Sequence, residues 1–346
     1  MAFYDKLMET LGLEEWCDGN AQGGPMSMAD LLKHTKGDDA VSDGDSIWNT
    51  PFPSLDELNS ACPAVPKTRD FTDSVENGFL SIKDPLKTVL DPITQPLSWA
   101  LDGSMALFEA VPWFVVIPVF LLVVYWASRS MALVAFVGIS FLGMAFIDHY
   151  LPAIQTLSII FVCTTFSVAL GVPIGILMSR SDTMQRIVVP ILDMLQTLPT
   201  FVYLIPLIFL FSVTESKLYG IAIILYAVVP VIRLTDLGIR LVDKEVLEAA
   251  HAFGMTDRQK LFKVQIPLAL PNIMAGVNQT IMMSLAMVVI ASLVSAPGLG
   301  VLVLRGIRNL ELGVGLVAGL GIVLLAVLLD RVTKTALARV NAAQKH

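Results

Sequence analysis

From residue 107 to residue 329 the chain is a succession of apolar stretches, and their length decides what it can become. Residues 107–127, 131–147, 154–178, 187–211, 218–234, 273–295 and 312–329 each come near the ~20 residues that cross ~30 Å of hydrocarbon as a helix. Lipid offers no hydrogen bonds, so a spanning segment must satisfy its own backbone, and a helix does so. The expected fold is therefore all-α: a polytopic helical membrane protein with about seven transmembrane helices. Composition points the same way, because 15% of the residues are charged against about 25% in an ordinary soluble domain.

Charge then orients the spans. Arg129, Arg180 and Arg186, a charged stretch at residues 240–271, and Arg331, Lys334, Arg339 and Lys345 fall on one side of the spans. The opposite connections hold fewer: none at 148–153, Lys217 at 212–217, and the exception, Arg305 and Arg308 at 296–311, where Gly298 and Gly300 suggest a short turn and helix. The positive-inside rule makes the first side cytoplasmic. The C-terminus is then inside and the N-terminal tail outside, periplasmic in a bacterium. That tail is acidic: residues 1–106 carry 7 Lys or Arg against 18 Asp or Glu, whereas the rest carries 16 against 12.

The first residues lack the apolar core of a signal peptide, so the tail is expected to be retained. Residues 1–78 read as a polar tail, mostly loop over 18–78, with short helices possible at 2–11 and 28–32. Residues 79–106 place Leu80, Leu86, Leu90, Ile93, Leu97 and Leu101 at helical spacing, broken by Pro85, Pro92 and Pro96. This reads as an amphipathic segment along the membrane surface, a small packed domain being the other reading. Residues 107–346 form the transmembrane domain, with a cytoplasmic loop at 236–272. Cys17 and Cys62 share the tail and Cys163 lies in a span; the tail pair could be bridged or free, and the spacing suits no zinc site.

Two spans are unlike lipid-facing helices. Residues 187–211 contain Asp193, Gln196, Thr197, Thr200 and Tyr203 with Pro190, Pro199 and Pro206, so an unbroken helix is not expected. Residues 273–295 carry Gly276, Thr280, Ser284, Met287, Ala291 and Ser295 on one stripe, which suits a pore or subunit face and equally suits close helix packing.

The charged stretch, RLVDKEVLEAAHAFGMTDRQKLFKVQIPLALP at residues 240–271, must lie outside hydrocarbon, where each charge would cost roughly 2.5–3.5 kcal/mol. Val246, Leu247, Ala250 and Phe253 keep helical spacing, Gly254 breaks it, and Leu261, Phe262 and Val264 resume it before Pro267. That describes two short amphipathic helices with a bend. Glu248, Ala249 and Ala250, then Gly254 after three residues, and Val264, Gln265, Ile266 and Pro267 after nine more, resemble the EAA loop of ABC-importer permeases, E-A-A-x3-G-x9-I-x-L-P. Val264 and Ile266 depart from that pattern, both conservatively. FVYLIP from Phe201, LFKVQIPLALPNIMAGVNQT from Leu261, MVVIAS from Met287 and LRGI from Leu304 extend the likeness to the permease subunit of glycine betaine and proline betaine importers, over residues 101–331.

The resemblance implies that Glu248, Ala249, Ala250, Gly254, Leu261, Phe262, Val264, Ile266 and Pro267 couple the chain to a cytosolic ABC ATPase. It implies two copies of that ATPase, a second copy of this chain, an extracytoplasmic solute-binding protein, a bacterial inner membrane, and ATP and Mg bound by the ATPase rather than here. No nucleic acid is implied as a partner. The residues agree on one point, since no G-x-x-x-x-G-K-[ST] phosphate cradle occurs in this chain. No catalytic or metal-binding constellation is expected; His34, His149, His251 and His346 are scattered. For a quaternary-amine solute, aromatic faces and negative charge must do the recognition, which makes Asp193, Gln196, Thr197, Phe201, Tyr203, Gln279, Thr280 and Ser284 the candidate path. Choline, carnitine, trimethylamine N-oxide and dimethylsulfoniopropionate are related solutes. An ion-coupled secondary transporter is the reading from another class, and it would need more ionisable groups in the spans than Asp193.

Overall fold

The computed structural model describes residues 4, 8, 10–13, 17 and 54–344, and these are helical apart from short connections, with no strand among the described residues. They fall into two compact units, residues 1–86 and 87–346.

In the first unit Tyr4, Met8 and Thr10 are helical, within the stretch expected at 2–11. The helix expected at 28–32, and the loop expected as far as residue 53, lie outside the described residues. Cys17 and Cys62 are joined by a disulfide across Cα atoms 4.8 Å apart, so of the two readings open in the sequence the bridged one holds. Helix α1 (Leu55–Ala61) starts at Ser54, whose hydroxyl accepts from the Glu57 N–H.

Helix α2 (Thr68–Ala110) differs from expectation at both ends of the tail reading: it begins within the expected loop and runs unbroken through Pro85, Pro92 and Pro96. Its start is fixed by carboxylates, as the Lys67 and Thr68 N–H groups donate to Asp70 and Asp56 at 3.1 and 2.9 Å. The three prolines survive because, at i, i+7 and i+11, they share one exposed face. The carbonyls their rings displace therefore open outward instead of into packing, which bends a helix without ending it.

In the second unit the apolar stretches read from the sequence are helical, two of them with a break inside. Helix α3 (Trp113–Ser128) follows a 115° bend, so the first expected span starts at Trp113 instead of residue 107. Pro112, extended at φ −60° and ψ 146°, has no N–H with which to continue α2. Then come α4 (Met131–Phe146), α5 (Tyr150–Arg180) and α6 (Asp182–Thr197). A 3-10 turn (Thr200–Tyr203) and α7 (Leu204–Leu210) complete a span bent by 106°, the interruption that Pro199 and Pro206 predict. After α8 (Ser216–Arg240) the chain forms α9 (Lys244–Ala252), α10 (Asp257–Lys260) and a π turn (Leu261–Gln265). It ends with α11 (Ile266–Ala291), α12 (Leu299–Arg308), preceded by the expected turn at Gly298, and α13 (Leu312–Gln344). Among the described residues four stretches are long and apolar enough to cross a membrane alone, 150–180, 216–240, 257–294 and 312–336; the two bent pairs qualify as pairs, and α4 is shorter.

Helix α8 is the axis of this unit. Val229, Val231 and Ile232 are buried, and α5 and α11 pack along it. The small-residue stripe of α11 is part of that contact. A Cβ on Gly276 would lie 3.0 Å from the Val231 Cα, and Ser284 accepts from the Thr164 hydroxyl of α5 at 3.4 Å. Gly276, Thr280, Ser284, Met287 and Ala291 are all buried, while Ser295, the last of the stripe, is exposed and lies beyond the helix. Close packing of small residues accounts for their spacing.

Candidate functional site

The expected loop at 236–272 is confined by helix formation to residues 241–265, since Asp236 still belongs to α8 and Ile266 already to α11. Asp243 starts α9 by accepting from the Glu245 N–H at 2.9 Å. The helix ends in a tight reversal, with the Gly254 N–H donating to the His251 carbonyl and the Met255 N–H to that of Ala250. Gly254 has φ +75° and nothing within 4 Å of a Cβ placed on it, so this chain needs glycine there for its backbone angle and not for space. Thr256 and Gln259 then form a reciprocal capping box. Lys260, 2.8 Å from Asp257, hydrogen-bonds that carboxyl and holds it below its ordinary range. The second expected helix is not separate: α10 runs through the π turn into α11, and there the Ile266 N–H reaches back to the Leu261 carbonyl, a local widening of the helix just before Pro267.

The loop has a buried root and an open crown. Leu261, with Ile266 against it, packs on Ile239, Ala269, Ile273, Val172 and Ile176, and Ala250 is buried. Val264 and Pro267 are half-buried. Glu248, Ala249, Gly254 and Phe262 are exposed. So is Phe253, at 85%, which helical spacing assigned to the apolar stripe. Phe253 stands exposed between the EAA triplet and the glycine, and the sequence reading did not name it among the residues of the loop's site. Its signal was a large apolar side chain at the very end of a helix.

The eight path candidates divide. Asp193, Gln196, Thr197 and Phe201 on the bent span, and Gln279 on α11, are exposed; Tyr203, Thr280 and Ser284 are buried. The hydroxyls of Tyr203 and Thr280 have no hydrogen-bond partner among the described residues. Asp193 is paired with Arg233 of α8, a residue the sequence reading left inside an apolar span without comment. A second charged group was also missed. Arg240 donates to Asp236 at 2.9 Å, to Asp182 at 2.7 Å and to the Met178 carbonyl at 2.8 Å, and Asp236 also accepts from Gln185 at 2.7 Å. No cluster of His, Cys, Asp or Glu able to hold a metal occurs among the described residues.

Residues 168–341 match the family described as binding-protein-dependent transport system inner membrane component. The chain is 38% identical to the glycine betaine/proline betaine transport system permease protein ProW of Escherichia coli, covering 85% of this chain and 84% of that one. It is 42% identical to the glycine betaine transport system permease protein OpuAB of Bacillus subtilis, over 70% and 86%. It is 38% identical to the glycine betaine/carnitine transport permease protein GbuB of Listeria monocytogenes, again over 70% and 86%. Among solved structures, the inward-facing MetNI methionine ABC transporter aligns with 54% of this chain and 94% of its own, at 21% identity and a TM-score of 0.49. With a matched family region spanning half its length and relatives shared nearly end to end, the chain belongs to the binding-protein-dependent inner-membrane permeases of ABC transporters, whose ATPase is a separate subunit.

Proposed function

We propose that this permease imports a betaine-type compatible solute, of the glycine betaine and proline betaine class. One observation carries the solute: the relatives at 38% and 42% identity, matched over 84% and 86% of their own length, bear glycine betaine in their names. Membership of the family sets aside the ion-coupled alternative. In this reading an extracytoplasmic binding protein delivers the solute, two copies of the chain form the path, and each docks one ATPase, which binds ATP and Mg.

The open crown supports the docking role. Glu248, Ala249, Phe253 and Phe262 present one charge, one small contact and two aromatic anchors outside the spans. The buried root, Leu261 and Ile266, ties any movement of that crown to α5, α8 and α11. The Cys17–Cys62 bridge supports an extracytoplasmic tail, because such bonds persist in oxidising compartments; the C-terminus is then cytoplasmic. Phe201, 56% exposed, offers an aromatic face for a quaternary ammonium, a contact of about 0.5–2 kcal/mol. Gln196 and Thr197 on the bent span and Gln279 on α11 are exposed polar side chains, and the buried, unpartnered hydroxyls of Tyr203 and Thr280 would meet a carboxylate where the helices part. Asp193 enters the path only as an ion pair with Arg233.

The test is uptake in proteoliposomes containing the permease, its ATPase and its binding protein. ATP-dependent uptake of glycine betaine that persists with an uncoupler is expected. A panel of proline betaine, choline, carnitine, trimethylamine N-oxide and dimethylsulfoniopropionate then ranks the solutes, and uptake of none of them removes the proposed class.

A further inference from the structure

Helix α6 is the first arm of the bent span and rests lightly on its neighbours. Leu192 is its one fully buried side chain, while Ile187, Ile191 and Met194 are exposed. Leu192, with Val188, Val189 and Leu195, belongs to one apolar cluster with Val229, Val231 and Ile232 of α8, and polar ties to α8 add to it. One is Asp193 with Arg233; the other is Arg240. Arg240 is the last residue of α8 and stands three positions before Asp243, which caps the first coupling helix. Its guanidinium reaches three helices at once: Nε to Asp236 on α8, Nη1 to Asp182 on the first turn of α6, and Nη2 to the carbonyl of Met178 near the end of α5. Asp236, 6% exposed, uses its other oxygen for Gln185 of α6. A planar guanidinium with fixed donors sets the relative orientation of the groups it binds, which a lysine cannot do.

We propose that Arg240 is a positioning residue for transport: it transmits displacement of the coupling loop to α6, and so to the arm that carries Asp193, Gln196 and Thr197. The inference rests on the coupling reading of residues 241–265 and is independent of which solute is carried. Movement of the crown pulls on Val242 and Asp243, hence on the end of α8, and Arg240 with Asp236 carries that pull sideways to Asp182 and Gln185. The apolar root around Leu261 reaches α5, α8 and α11 but not α6, and of the contacts that α6 makes with α8 the Arg240 cluster is the one beside the loop.

A cysteine at Met194, which is 63% exposed on α6, reports the movement; Cys163 is buried and the other two cysteines are bonded. In the assembled complex the labelling rate of Met194→Cys is measured with and without a non-hydrolysable ATP analogue. A nucleotide-dependent change is expected, lost in Arg240→Ala and reduced in Arg240→Lys, together with a fall in uptake per ATP hydrolysed of at least about tenfold in Arg240→Ala. A change that persists in Arg240→Ala, or none in the parent complex, overturns the proposal. Where Arg240→Ala does not assemble, Arg240→Lys and Gln185→Leu decide by the same readout: an undiminished response in both overturns it, a diminished one supports it. Labelling does not depend on the solute, so failure of betaine uptake alone leaves this result legible and rejects only the solute class.

Discussion

The two ends of α8 are both held by a cation between carboxylates, yet they are built for different tasks. At the first turn Lys217, its side chain 6% exposed, lies 2.7 Å from both Asp91 of α2 and Glu215, and stands over the Phe211 ring at 5.2 Å. The adjacent Ser216 hydroxyl is 2.9 Å from that of Ser98. At the last turn Arg240 is 31% exposed; one partner, Asp182, is 75% exposed, and the other, Asp236, is buried. A desolvated ammonium cannot leave its carboxylates without a large penalty, whereas a wet pair exchanges its partners for water at about 0–1 kcal/mol. The first end is a fixed anchor. The last is a joint that combines a buried tie to Asp236 with a wet tie to Asp182, and in the proposed coupling the wet tie is the part that re-forms in a second geometry.

The largest expected effect tests the anchor. Lys217→Ala leaves Asp91 and Glu215 facing each other without their cation and is expected to destabilise the unit by about 3 kcal/mol, the low end for a broken buried pair because both carboxylates retain some solvent. Arg240→Ala gives up the wet Asp182 pair at about 1 kcal/mol or less but leaves the buried Asp236 carboxylate with Gln185 as its donor, so it is expected to cost about 2 kcal/mol. Unfolding midpoints of the two purified variants in one detergent decide this. Equal losses would erase the distinction between anchor and joint.

Next in size is coupling. A β-branched residue at the φ of +75° recorded for Gly254 costs of order 1–3 kcal/mol of backbone strain, so Gly254→Val should lower uptake per ATP by roughly tenfold. Glu248→Lys reverses an exposed charge on the crown and should act in the same direction without loss of stability. Normal stimulation of hydrolysis by loaded binding protein, with normal uptake, in both variants would detach the crown from the ATPase. Smaller effects are expected within the path. Tyr203→Phe and Thr280→Val each remove a hydroxyl that nothing else in the described structure uses, and each should slow initial uptake at limiting solute by about fivefold, the equivalent of one hydrogen bond of ~1 kcal/mol. Unchanged rates would leave these hydroxyls as orphans of packing.

What was legible in the sequence follows from which forces act locally. The charged loop could be placed because charge is intolerable in hydrocarbon, and its bend because a left-handed residue wants glycine. The break at Pro199 was legible for the same reason: a missing N–H is a local fact. The three prolines of α2 misled because their effect depends on which face they occupy, and that face became visible only with the helix. Phe253 was misassigned because spacing says which residues share a side and not whether anything covers it. The pairs Asp193 with Arg233, and Arg240 with Asp182, join residues 40 and 58 positions apart. The charges could be read, but no periodicity links them. The stripe on α11 shows the same limit, since small residues at that spacing suit a pore or a tight contact, and the proximity of Val231 was needed to see the contact.

The smallest functional effect expected is that of reducing the Cys17–Cys62 bridge, and it sharpens the comparison by fixing which end of α8 faces outward. The bridge closes a loop of 45 residues in sequence, so on chain-entropy grounds it stabilises the first unit by about 4 kcal/mol. Both cysteines lie in residues 1–86, whereas the anchor and the joint lie entirely within residues 87–346, so uptake after mild reduction should change by no more than about twofold. The freed thiols then serve as topology reporters. With the tail outside, an impermeant maleimide added to intact reduced cells labels Cys17 and Cys62, while Cys163, buried in α5, stays unlabelled. With four expected spans between the tail and α8, such labelling assigns the Lys217 end of α8 to the side of the binding protein and the Arg240 end to the side of the ATPase. Labelling of the tail only after lysis would exchange the two, and would place the coupling crown where no ATPase can reach it.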